Sequence, residues 1–183
     1  MASTLVFSWL GMQMVHEFGH VATAFVCGER VAGVVLHPLA LSRTDVSHDR
    51  HPLLVVWGGP ILGSAIPVGL LAAAKRLGWG LSYLVQAFAG FCLIANGAYL
   101  GVGLFDGVGD AGDLLRHGSP RWTLIGFGLI AAPAGLWLWN GNGRRFGFGE
   151  PSGRVDSRAV RWAIALAAVM VVVEIAAAPH LSP

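Results

Sequence analysis

Five stretches of about 20 mostly apolar residues constrain the fold of this chain more than any other feature. They cover about 4–27, 53–74, 81–105, 122–139 and 159–178. A helix of roughly 20 apolar residues is long enough to cross the hydrocarbon core of a bilayer. Inside lipid, only helices and closed barrels satisfy every backbone polar group. We therefore predict an all-α polytopic bundle of about five transmembrane helices.

The composition favours a single membrane domain. Only 12% of the 183 residues are charged, whereas 55% are hydrophobic, and a soluble domain normally has about 25% charged residues. We predict one integral membrane domain over 1–183, multi-pass, in the cell membrane and in contact with the lipid bilayer. The net charge is only +2, and no cluster of basic residues alternates with aromatic ones, so we expect no nucleic acid partner.

The connection between the first two apolar stretches is long and partly β-prone. It covers 28–52, and its segment Val31–Leu36 is rich in valine. Such a short run predicts a strand or a hairpin at the membrane surface.

A metal-binding pattern lies inside the first apolar stretch. The sequence there reads His16-Glu17-Phe18-Gly19-His20. On a helix the two histidines are one turn apart on the same face and can hold one zinc ion, with Glu17 placed to act as a base. Ionisable side chains at membrane depth are costly, so they indicate a functional site.

A hydrolytic zinc site needs a further ligand from elsewhere in the chain. Such sites usually have three protein ligands and a water molecule. The side chains suited to this role follow the third apolar stretch, and they are Asp106, Asp110, Asp113 and His117.

Three motifs together resemble the site-2 protease family of intramembrane zinc metallopeptidases. They are the pattern at 16–20, Gly58-Gly59-Pro60 in the second stretch, and Asn96 followed by an Asp-Gly-type motif around the third. The resemblance covers about 4–116, the family's three-helix catalytic core, so 122–139 and 159–178 are expected to be accessory helices. It implies a small, divergent zinc-dependent endopeptidase, with His16 and His20 as zinc ligands and Glu17 as general base.

The third motif departs from the family pattern of an Asn, a proline-containing stretch and Leu-Asp-Gly. No proline follows Asn96 directly, and two aspartates match the motif in part. Asp106 keeps the Asp-Gly dipeptide, whereas Asp110 lies in a run that better matches the whole motif. We therefore expect Asp110 to be the third ligand, with Asp106 as the alternative. Asp113 is more typical of a carboxylate at the start of a helix, or of one that supports the site without binding the metal.

The resemblance implies hydrolysis of a peptide bond in or near a transmembrane segment of a membrane protein. Zinc polarises the carbonyl in such a reaction, and Glu17 transfers the proton. Asn96 has two interpretations: a hydrogen bond to the substrate or to the developing oxyanion, or a hydrogen bond between helices. Val31–Leu36 offers a strand edge to an extended substrate.

The alternative function is a catalytically inactive membrane protein of the same fold that binds a partner helix. Glu17 favours the enzyme, because a binding protein has no evident need for that carboxylate.

Overall fold

The protein is a bundle of α-helices with one small sheet. A computed structural model describes residues 1–38, 42–47, 50–148 and 155–177. The helices within these ranges are α1 (Ala2–Val26), α2 (Pro52–Arg76), α3 (Ser82–Asp106), α4 (Gly109–Arg116), α5 (Arg121–Trp139) and α6 (Ser157–Ala177). A 3₁₀ helix covers Asn142–Phe146, and the strands are β1 (Arg30–Val35) and β2 (Arg43–Ser47). The predicted helical bundle with a short β segment after its first helix is confirmed.

The helix boundaries agree closely with the apolar stretches. Each predicted helix is present, and its ends lie within a few residues of the predicted ends. The predicted last residue of the final helix, Ala178, lies outside the described residues. The short helix α4 lies in the polar connection after the third stretch, where no membrane helix was predicted.

Four of the described helices, α2, α3, α5 and α6, are long and apolar enough to cross a membrane, which indicates a membrane protein. Helix α1 is as long as α2 but is not among the four, because Gln13, His16, Glu17 and His20 lower its hydropathy. These four side chains are buried, since α1 packs against α2, α3 and α6. The polar face of α1 therefore lies inside the bundle.

The hairpin lies across this polar face. Strands β1 and β2 pair antiparallel, with Val34 opposite Thr44. The backbone N–H of Ser42 donates to Gln13 Oε1 over 3.1 Å. The hydroxyl of Thr44 donates to Glu17 Oε2 over 2.7 Å. Two hydrogen bonds thus attach β2 and the residue before it to α1.

Candidate metal centre

Three side chains from two helices converge at one point. The ligand atoms of His16, His20 and Asp110 all lie within 4.8 Å of one another. The two Nε2 atoms are 3.1 Å apart, and Asp110 Oδ2 lies 2.8 Å from His16 Nε2 and 3.4 Å from His20 Nε2. A tetrahedral zinc ion with bonds of about 2.0–2.1 Å spaces its ligand atoms about 3.3–3.4 Å apart. The spacings of 3.1 and 3.4 Å are close to those values, and the spacing of 2.8 Å between His16 and Asp110 is shorter.

The outer nitrogen of each imidazole donates to a protein oxygen. His20 Nδ1 lies 2.9 Å from the carbonyl oxygen of Val55, which can only accept. His16 Nδ1 lies 2.6 Å from Asn96 Oδ1. The Asn96 amide nitrogen donates to the Cys92 carbonyl oxygen over 2.8 Å, and this contact settles which amide atom faces the ring. In its neutral form, each ring therefore turns the lone pair of its Nε2 inward, the arrangement in which histidines bind metals.

The residues fit a zinc ion in charge and in space. Two imidazole lone pairs and a carboxylate repel one another unless a metal ion or a proton lies between them. A Cβ atom at Gly59 would lie 2.9 Å from His16 Nε2 and nearer still to His20 Nε2. Glycine at this position of α2 therefore keeps the space between the rings open. Two imidazoles and a carboxylate form a ligand set that catalytic zinc sites use.

Helix α4 brings Asp110 to the imidazoles. Gly109 has a φ of +58°, and a Cβ atom there would overlap the Tyr99 hydroxyl, so the turn into α4 requires glycine. The backbone N–H of Asp110 donates to that hydroxyl over 3.2 Å. Ala111 and Leu114, on the buried face of α4, are fully enclosed. Their apolar cluster also contains Leu100, Leu104 and Leu124.

The electrostatic surroundings keep Asp110 ionised. Burial by itself raises the pKa of this carboxyl group, but the hydrogen bonds and charges of His16 and His20, when a ring carries a proton on Nε2, outweigh that effect. The pKa of Asp110 is therefore held below its usual range. A carboxylate must be ionised to bind a metal ion, so Asp110 is in the required state at neutral pH.

Glu17 lies beside this group and is held by the hairpin. Its side chain is buried, and Thr44 donates to Oε2. Neither Thr44 nor the Val55 carbonyl was predictable from the sequence, because a threonine in a strand and a backbone oxygen leave no recognisable motif. Gly59 was visible as part of Gly58-Gly59-Pro60, but its position against the imidazoles was not.

The other side chains of the polar connection lie elsewhere. Asp106 is exposed at the end of α3 and is not part of the converging group. Asp113 pairs with Arg116, and His117 is exposed and hydrogen-bonded to the backbone oxygen of Asp113. Of the two interpretations of Asn96, the hydrogen bond between helices is present, whereas contact with a substrate stays a prediction.

Comparisons of the chain with protein-family models, curated proteins and solved structures find no match. Membership of the site-2 protease family therefore stays a prediction from the motifs.

Proposed function

We propose that this protein is a zinc-dependent intramembrane endopeptidase, which hydrolyses a peptide bond in or near a transmembrane segment of a membrane protein. The observation that carries the proposal is the convergence of His16, His20 and Asp110 beside the buried Glu17. We infer that α1 crosses the bilayer with the four apolar helices, which makes the protein multi-pass, and we place it in the cell membrane.

The converging residues supply the zinc ligands in this proposal. His16, His20 and Asp110 would hold the ion, with Val55 and Asn96 fixing the two rings through their outer nitrogens. When bound, zinc polarises the scissile carbonyl and makes water acidic enough to react near neutral pH.

Glu17 acts as the general acid and base. It takes a proton from the attacking water and delivers it to the leaving amine. Thr44 holds one carboxylate oxygen, and this leaves the other oxygen for proton transfer. Proton transfer requires the carboxylate of Glu17 to be held at a fixed position relative to the bond that is cleaved. The Thr44 hydroxyl supports the reaction because it fixes this orientation.

The hairpin offers a surface for the substrate. A transmembrane helix must lose its backbone hydrogen bonds before it can be cleaved, and its extended segment then needs new partners. The outer edge of β1 can supply them by strand addition.

The test separates zinc binding from catalysis. We expect the purified protein to bind one zinc ion and to cleave synthetic transmembrane peptides, as followed by mass spectrometry. Glu17→Gln should keep the zinc and abolish cleavage, whereas His20→Ala should lose both. A zinc-loaded protein that binds such peptides without cleaving them would instead support the partner-binding alternative.

A further inference from the structure

Gln13 has an unusual position beside the proposed base. It lies one helical turn before Glu17 on the polar face of α1, and its side chain is 3% exposed. The Ser42 backbone N–H donates to Oε1, so the orientation of the amide is settled. The Nε2 atom then presents two N–H groups, and it has no acceptor among the residues that the structure describes.

An unused buried donor is costly. Leaving such a group without a partner destabilises the folded protein, and a methionine would fill a similar volume without that cost. The contact with Ser42 uses only the oxygen of the amide, so it does not account for the nitrogen. A group that pairs with this nitrogen must be a hydrogen-bond acceptor, and the backbone carbonyl of an unwound peptide is one.

The spacing relates this donor to the proposed reaction. Four residues of α-helix rise about 6 Å, which equals about two residues of extended chain. Ser42 and Thr44 hold Gln13 and Glu17 from the same side. A peptide segment that passes Glu17 parallel to α1 therefore reaches Gln13 about two residues from the bond being cleaved.

We propose that the Gln13 amide binds a backbone carbonyl of an extended substrate segment, about two residues from the scissile bond. The distance from the scissile bond rests on the proposed peptidase function. The contact itself rests on the amide nitrogen, which has no acceptor within the described part of the chain. Gln13 is a substrate-binding residue that recognises backbone rather than side chain, so it does not select for sequence.

The binding experiment uses the full-length, zinc-loaded protein in a Glu17→Gln background, so that the peptide survives. The probe is a fluorescent synthetic transmembrane peptide of about 25 residues, long enough to span a bilayer, with a central glycine pair that eases unwinding. Fluorescence anisotropy gives its Kd. We expect Gln13→Met to weaken binding about tenfold, as the loss of one satisfied hydrogen bond does, with the zinc content unchanged.

Two further variants separate substrate binding from attachment of the hairpin. Gln13→Glu keeps an acceptor for the Ser42 N–H but removes both amide donors, so it should weaken binding as Gln13→Met does. Wild-type affinity in Gln13→Glu would overturn the proposal, because the acceptor alone would then explain the residue. Gln86→Met is the matched control, since Gln86 bonds the Leu138 carbonyl away from the site, and it should bind the peptide normally.

A second set of peptides tests the register. Replacing one carbonyl oxygen at a time by sulfur, a weaker acceptor, should reduce affinity most at one position, and this effect should vanish in Gln13→Met. Cleavage by the protein with Glu17 intact locates the scissile bond independently. If Gln13-dependent binding is observed without any cleavage, the peptidase proposal fails and the binding contact stands. Equal affinity in all variants overturns the contact, whether or not the peptide is cleaved.

Discussion

The substitution Gly59→Ala tests the metal centre without replacing any of the proposed ligand residues. Alanine adds one Cβ atom, which would lie 2.9 Å from His16 Nε2 and closer still to His20 Nε2. Ordinary van der Waals contact begins at 3.4 Å. His16 Nε2 must therefore retreat by about 0.5 Å and His20 Nε2 by more, or α2 must move away from α1.

Either movement is too large for a zinc site. Zinc–nitrogen bonds are about 2.0–2.1 Å long and tolerate changes of about 0.2 Å. If α2 moves instead, His20 loses the Val55 carbonyl oxygen that fixes its ring. Loss of one such supporting partner weakens metal binding about 10–100-fold. Because Gly59→Ala displaces two ligands, we expect zinc affinity to fall by more than about 100-fold.

The assay is zinc content and zinc affinity in detergent-purified protein, by mass spectrometry of the metal and by competition with a chelator. Gly69→Ala is the matched control, because a Cβ atom at Gly69 on the same helix has no neighbouring atom within 4 Å. It should bind zinc as the unmodified protein does. Circular dichroism verifies that both variants remain helical. A helical Gly59→Ala protein with unchanged zinc affinity would refute the proposed position of the ion.

Three further predictions test the remaining parts of the site. Asp110→Asn should weaken zinc binding by more than about 100-fold, since removing a ligand has a larger effect than losing a supporting partner. Asp106→Asn should leave zinc affinity unchanged. The same chelator competition measures both variants, and the reverse result would exchange the roles of the two aspartates. Asn96→Leu removes the acceptor for His16 Nδ1 and should lower zinc affinity about 10–100-fold, so an unchanged affinity would contradict its positioning role. Thr44→Val should reduce kcat about tenfold through the lost hydrogen bond to Glu17, without changing the zinc content. Thr44→Ser keeps the hydroxyl and should have the rate of the unmodified protein. Equal kcat values in the unmodified protein and both variants would exclude orientation of Glu17 by this hydroxyl.

The secondary structure was largely predictable because its signals are local. Runs of apolar residues of membrane length predicted α2, α3, α5 and α6 to within a few residues, and the β-prone segment predicted the hairpin. The exception was α4, a helix of eight residues whose stability depends on burying Ala111 and Leu114 against neighbouring helices. Such a short helix is rarely stable by itself, so its existence depends on tertiary contacts.

The candidate site also has a part that was predictable from local sequence and a part that depends on tertiary contacts. The spacing of His16 and His20 alone placed both imidazoles on one face of α1, because four residues make about one helical turn. The motif favoured Asp110 over Asp106, but the turn at Gly109 is what directs the Asp110 carboxylate to the imidazoles and leaves Asp106 exposed. Spacing along the chain does not predict such a choice, since the two aspartates are only four residues apart.

By itself, the sequence determined the five long helices, the hairpin and the pairing of two histidines beside a glutamate, because each follows from residues a few positions apart. Only the tertiary structure decided which carboxylate joins them, which oxygens hold the rings, and which hydroxyl holds Glu17. Those partners lie from 27 to 94 positions away in the chain. Their convergence depends on how α2, α3, α4 and β2 pack against α1, and packing is a property of the whole bundle.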